Sequence, residues 1–256
     1  VWDLREGGEP RVLTGHDGAA LAVAISADGT TAISGDDEGF VRLWDLQSGE
    51  SCVLTKLKGG LPAVAISADG TTAITESEDG SVRVWDLRND SEPRTLTGRV
   101  GAVEAMAINA DGTTAITGSL NGSVQVWDLR EGGEPRVLTG HDGAVKAVAI
   151  SADGTTAISG GRDVYVWDLR EGSEPHTLIR HSMVWTVAIS ADGTTAITGS
   201  LNGSVLVWDL AEERCIASWV GDYPIMGCDV VLGQSLRIGV GQSHGAPYML
   251  ELRSTA

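Results

Sequence analysis

Short apolar runs alternate with polar positions along this chain, and they return in the same order about every 40 residues. In the first complete period, Ala20 to Ser26 alternates Leu, Val and Ile with Ala and meets Ala27-Asp28-Gly29. Thr30 to Ser34 is a β-branched run, Phe40 to Leu46 alternates again around Trp44-Asp45, and Ser51 to Leu57 is a fourth, less patterned run. Asp-Gly between two short β runs signals a hairpin, because that turn needs a positive φ that costs Gly no steric clash. No stretch sustains the apolar period of a helix. The pattern predicts an all-β protein built from units of four short antiparallel strands.

The units are repeats. Trp-Asp pairs begin at Trp2, Trp44, Trp85, Trp127, Trp167 and Trp208, at intervals of 42, 41, 42, 40 and 41 residues. A second ladder, Ala-Asp-Gly-Thr-Thr-Ala, carries Asp28, Asp69, Asp111, Asp153 and Asp192. The segment from Asp3 to Ala19 recurs letter for letter from Asp128 to Ala144, which points to recent internal duplication. One such unit cannot bury both of its faces, whereas stacked units can. A single domain over residues 1–256 is therefore expected. Its parts are a partial repeat at 1–14, full repeats at roughly 15–57, 58–97, 98–139, 140–179 and 180–219, and a degenerate closing unit at 220–256.

The succession Gly-His, Ala-Asp-Gly, Ser/Thr-Gly and Trp-Asp, in phase over nearly the whole chain, resembles the WD40 repeat family. The resemblance implies a β-propeller of four-stranded antiparallel blades, with Trp-Asp closing the third strand of each. On that mapping the chain holds six sets of three inner strands, and the last set, spread over Ile225 to Arg253, lacks Trp-Asp. Six blades close if Glu9 to Leu13 becomes the outer strand of the last blade. Seven result if an N-terminal part precedes Val1.

The resemblance also implies a hydrogen-bonded chain of His, Ser/Thr, Asp and the motif Trp inside a blade. The physical need is plain, since a buried indole N–H without a partner costs ~1–3 kcal/mol. His141, Ser159, Asp163 and Trp167 make the complete set. Other blades carry parts of it: His16, Ser34 and Trp44 with Glu38 at the Asp position; Thr75, Asp79 and Trp85 with Leu57 replacing His; Thr117 and Trp127; and His181, Thr198 and Trp208.

Composition narrows the function. Lys plus Arg is 18 against 35 Asp plus Glu, a formal charge of −17, which disfavours nucleic acid and anionic membranes as partners. No apolar run approaches the ~20 residues of a membrane span. Three Cys give no disulfide framework and fit a reducing, cytoplasmic setting. Cys52, Cys215 and Cys228 read as small apolar fillers. The histidines of the chain motif are spread over different blades, so neither a metal site nor a cofactor is expected. Gly241-Gln242-Ser243-His244-Gly245 matches the nucleophile pattern G-x-S-x-G, but that motif needs a helix after its turn, and here a strand follows. No enzymatic activity is expected.

Of the eight Trp, Trp185 and Trp219 fall outside the Trp-Asp frame. Trp185 belongs to the most informative column, four residues before the Ile or Val that closes each first strand: Leu21, Pro62, Glu104, Lys146, Trp185 and Gly227. Neighbouring columns barely change between repeats, yet this one takes every chemistry. The resemblance places it on the rim of the central channel, beside the divergent loop residues Arg99, Leu120, Arg162, Arg180, Met183, Leu201 and Tyr223. Trp, Tyr and Arg dominate interface energetics. The expectation is a non-catalytic scaffold or sensor that binds a protein or peptide through this face; the alternative is an architectural module that self-assembles. The near-identical blades also resemble bacterial arrays that form the C-terminal part of STAND-type NTPases or kinases, which implies an N-terminal effector domain.

Overall fold

The computed structural model describes residues 1, 9–58, 63–76, 81–89, 91–96, 101–170, 175–179, 183–232, 236–244 and 248–252. Among them every regular element is a strand, and the strands form six antiparallel sheets in chain order. The first sheet is β1 (Ala20–Ile25), β2 (Thr31–Asp36), β3 (Phe40–Asp45) and β4 (Ser51–Lys56). The second is β5 (Val64–Ile66), β6 (Thr72–Glu76), β7 (Val82–Asp86) and β8 (Arg94–Leu96). The third is β9 (Val103–Ile108), β10 (Thr114–Ser119), β11 (Val124–Asp128) and β12 (Arg136–Leu138). The fourth is β13 (Ala147–Ile150), β14 (Thr156–Gly160), β15 (Val164–Asp168) and β16 (His176–Ile179). The fifth is β17 (Val184–Ile189), β18 (Thr195–Ser200), β19 (Ser204–Asp209) and β20 (Arg214–Val220). The sixth has three strands, β21 (Ile225–Leu232), β22 (Leu236–Gln242) and β23 (Tyr248–Leu252).

The Ala-Asp-Gly segments are the turns between first and second strands. Gly29, Gly70, Gly112, Gly154 and Gly193 sit at φ between 69° and 72°, where a Cβ is strained. Ser26, Ser67, Ser151 and Ser190 each donate Oγ–H to the Asp two residues on, at 2.6–2.7 Å. Asn109 replaces that serine in the third sheet and accepts from the amides of Thr113 and Thr114 instead. Adjacent turns are stitched through the backbone: Ala27 N–H donates to Ala68 O, Ala68 to Ala110, Ala110 to Ala152, and Ala152 to Ala191, at 2.9–3.2 Å.

Packing between sheets explains the glycine near the end of most second strands. A Cβ on Gly118 would stand 2.5 Å from Val145 Cγ1, one on Gly160 2.8 Å from Val184 Cγ1, and one on Gly199 2.6 Å from Ile225 Cγ2. Each neighbour belongs to the next sheet, so these glycines set how closely the blades stack. Trp219 also lies between sheets: it packs against the cluster that joins Val205 of the fifth to Ile225 and Val240 of the sixth.

Among the described residues, nothing covers the outer faces of the first and last sheets. Val64, Met106, Val148 and Val187 are buried to 7–9% exposure against a preceding sheet, whereas Val23, their counterpart in β1, is 74% exposed. Leu21 and Ile25 beside it are exposed as well. At the other end, among the described residues, a Cβ on Gly241, the counterpart of Gly199 by its pairing with Gly227, would meet only backbone of its own sheet, at 3.8 Å or more.

Among the described residues, Glu9 to Leu13 does not pair with the last sheet as a clasp would. Arg11 N–H donates to Val1 O at 2.9 Å and the Val1 ammonium donates to Arg11 O at 2.6 Å. This is the register of Val126 with Arg136 in the third sheet. Arg11 also donates to the carbonyls of Leu46 and Gln47, as Arg94 does to Leu129 and Arg130 two sheets later. Val1 and Arg11 thus pair with each other, and the segment from Val1 to Arg11 is identical in sequence to that from Val126 to Arg136. Among the described residues β23 has one strand neighbour, β22.

Candidate functional site

The variable column has a structural cause. In β1 the pairing steps from Ala20 to Ala22 and leaves Leu21 out of the ladder. In the same way β9 skips Glu104, β17 skips Trp185 and β21 skips Met226. Lys146 occupies the same place immediately before β13. A bulge adds one unpaired residue and re-aims its side chain. The bulged residue packs in neither face of its sheet, so the repeat frame does not dictate its type. The structure corrects the last member of the column: it is Met226, 44% exposed, rather than Gly227. The last unit has no Trp-Asp to anchor its frame, and Val230 rather than Val231 takes the place of Ile189.

Three bulge residues from consecutive sheets touch. Lys146 Nζ lies 3.0 Å from Glu104 Oε2 on one side and 5.2 Å from the centroid of the Trp185 ring on the other. The carboxylate and ammonium side chains are 30% and 25% exposed, so solvent screens the pair without dissolving it. An ammonium over an indole face adds ~0.5–1 kcal/mol where water still reaches it. Beside Trp185, Met183 is 55% exposed and holds φ 50°, a left-handed conformation rare for a residue with a Cβ. Val184 N–H donates to Gly161 O at 2.7 Å, which seats the loop of exposed Arg162 next to this sheet. Leu120 is exposed at the corresponding loop of the third sheet.

Other candidate residues stand apart. Leu21 lies on the bare face of the first sheet. Tyr223 is in the sixth unit, with its ring 5.7 Å from that of His244. Pro62, Arg99, Arg180 and His181 lie outside the described residues, as does Asp79.

The internal hydrogen-bond chains are scaffold. Every described motif indole donates to the hydroxyl on the neighbouring second strand: Trp44 to Ser34, Trp85 to Thr75, Trp127 to Thr117, Trp167 to Ser159 and Trp208 to Thr198, at 2.7–3.1 Å. In the fourth sheet His141 Nε2 meets Ser159 Oγ at 2.7 Å. Burial pushes the His141 imidazole down to about 4, against a weaker upward pull from Asp163, so the ring is neutral near pH 7.

The first sheet differs from its sequence reading. His16 Nε2 meets Ser34 Oγ at 2.6 Å, and Nδ1 meets Asp36 Oδ2 at 2.7 Å, so Asp36 completes the chain and Glu38 does not. Burial raises the Asp36 carboxyl, but bonds from His16 and the Phe40 and Glu38 amides outweigh it and hold the group below the usual carboxylate range. In the neutral ring a carboxylate at Nδ1 fixes the proton there, and the serine hydroxyl then donates to Nε2. Leu57, in the place of a histidine in the second blade, is buried among Ile33, Val41, Ile66 and Trp85.

Two other sequence readings change. Cys52 and Cys215 are exposed rather than apolar fillers, while burial pushes the Cys228 thiol up to about 12. Ser243 of the G-x-S-x-G stretch follows β22, donates its amide to Pro224 O, and has its hydroxyl 3.2 Å from its own neighbour His244.

Comparison with known proteins agrees with the repeat frame. No curated protein matches the chain. The family model described as WD domain, G-beta repeat matches residues 7–45, 51–86, 91–128, 132–168 and 172–209. These five matches span most of the chain and end at or next to the Asp of each Trp-Asp pair from Asp45 onward, and the chain belongs to the WD40 family.

Proposed function

We propose that this protein is a non-catalytic binding module that holds a protein or peptide on the bulged ends of its inner strands. WD40 repeats generally serve as protein-interaction scaffolds. The observation that carries the reading is the contact of Glu104, Lys146 and Trp185, three residues freed from the frame in three successive sheets. Bulges concentrate where a strand must re-aim a side chain, and exposed Met183 beside them sits on strained backbone. The −17 charge favours a protein partner over nucleic acid or an anionic membrane. The parent of such an array is a bacterial cytoplasmic signalling protein with an N-terminal effector; the uniformity of the repeats supports this.

Capture of host proteins by the wild type, by Trp185→Ala and Lys146→Ala, and by the turn-end variant Asp192→Ala tests the face. Loss confined to the first two substitutions, with fold retained, is expected. Unchanged capture in a folded Trp185→Ala, Lys146→Ala double variant would contradict the reading.

A second reading rests on the bare faces at Leu21, Val23 and Ile25 and at Gly241. Apolar faces of this kind are covered by a further blade of the same chain or by a second copy, which makes the array a self-assembling module. Sedimentation separates these: association that depends on Val23 favours the second copy, and a monomer opposes it.

A further inference from the structure

Glu104, Lys146 and Trp185 form a line of anion, cation and aromatic face. Removing the middle member in thought leaves a carboxylate and an indole face converging on one cation-sized place. Both side chains are suited to a cation: a carboxylate accepts charge-assisted bonds, and an indole face attracts positive charge. The ammonium now there comes from the protein's own flexible Lys146, which is a quarter exposed and so can swing into solvent. The surrounding charge is strongly negative, which draws basic partners toward the molecule. Exposed Met183, two residues before Trp185, supplies apolar ground beside the charged line for a flanking residue of a peptide.

We propose that this line is a receptor for an arginine or lysine side chain of a basic peptide, and that Lys146 occupies it in the free protein as a resident competitor. The proposal rests on the bulged end being the binding face, and adds the ligand class and the displacement. An incoming guanidinium is the stronger occupant, because it stacks on the indole while its planar fork engages Glu104. A resident that fills the site nine-tenths of the time weakens the apparent affinity about tenfold. Removing the resident side chain therefore tightens binding, the opposite of what deletion of an ordinary contact residue does.

The test uses a fluorescein-labelled nonapeptide of glycine and serine carrying two arginines, and a counterpart carrying two glutamates, read by fluorescence anisotropy. The chains compared are the wild type, Glu104→Gln, Lys146→Met and Trp185→Leu, each checked for fold by circular dichroism. Glu50→Gln and Arg88→Met change the same charges in the β3–β4 and β7–β8 connections, away from the bulges, and control for long-range attraction. The arginine peptide is expected to bind, to lose about tenfold with Glu104→Gln or Trp185→Leu, and to gain about threefold or more with Lys146→Met, each beyond its control. A Lys146→Met protein that binds no tighter than Arg88→Met would overturn the resident role. Preference for the glutamate peptide, lost in Lys146→Met, would overturn the cation class while leaving the face in use. Binding of neither peptide would overturn the ligand class, and capture of host proteins then judges the face independently.

Discussion

The inner strands have two ends that obey different rules. At one end the Ser-Ala-Asp-Gly-Thr-Thr turn recurs almost unchanged, and backbone bonds between alanines tie each turn to the next. At the other end a bulge frees one residue, and that residue is Leu, Glu, Lys, Trp or Met. The turn end must supply a positive-φ glycine, an Asp that accepts from Ser and Thr, and a small residue that lets neighbouring backbones approach. Each demand selects one residue type. The bulge end satisfies its backbone locally and asks nothing of the side chain. Uniformity therefore marks the scaffold, and variety marks where recognition can be written without loss of fold.

The largest expected effect concerns where blades meet. Gly199→Ala forces a Cβ into Ile225 and Thr186 and is expected to cost about 2 kcal/mol in denaturant unfolding. Gly241→Ala, its counterpart on the bare face, is expected to cost under ~0.5 kcal/mol. Equal costs would mean that the last face is covered.

A smaller difference separates the indole chains. Trp167→Phe removes a donor from a chain that continues to His141, whereas among the described residues the chain from Trp127 stops at Thr117. Trp167→Phe is expected to lose about 1 kcal/mol more than Trp127→Phe. Equal losses in thermal stability would show that the histidine adds nothing.

The same chain gives a pH dependence. With the folded His141 held at about 4 and the unfolded ring near its ordinary 6.5, the unfolded state binds more protons between those values. Stability from this group is complete above about pH 6.5 and falls as the pH drops toward 4. Chemical unfolding at pH 7.5 and 4.5 should show that fall, and His141→Gln should reduce it. The Ser-bonded Asp69 and Asp153, held below the usual range, contribute a separate loss only below about pH 4.

The smallest contrast is between one turn residue and one bulge residue. Asp192→Ala removes bonds from Ser190 and Thr194 and should lower the Tm by about 2–4 °C. Met226→Ala, 44% exposed and outside the ladder, should move it by less than about 1 °C. A reversed order would undo the division between the two ends.

Much of this was legible because turns and hairpins are local. Asp-Gly spacing and Trp-Asp placed the strands of the first sheet within two residues of those observed, and the variable column pointed to Glu104, Lys146 and Trp185. What was not legible depends on distance in space. Asp36 rather than Glu38 meets His16, because the choice depends on which carboxylate the folded second strand turns inward. The ammonium of Lys146 bridges two sheets, which no single repeat records. The bare faces follow from which sheets lack a neighbour among the described residues, and sequence periodicity is blind to that. Met226 replaces Gly227 because bulge position follows pairing register, and the last unit lacks the motif that fixes it.

The most direct test of the division follows the indole N–H signals by NMR while the two-arginine nonapeptide is added. Trp185 is assigned with Trp185→Leu, and the framework indoles by single Phe substitutions. The account predicts that the Trp185 signal shifts with peptide concentration while those of Trp44, Trp85, Trp127, Trp167 and Trp208 stay in place. Movement of the framework signals with Trp185 unmoved would contradict it.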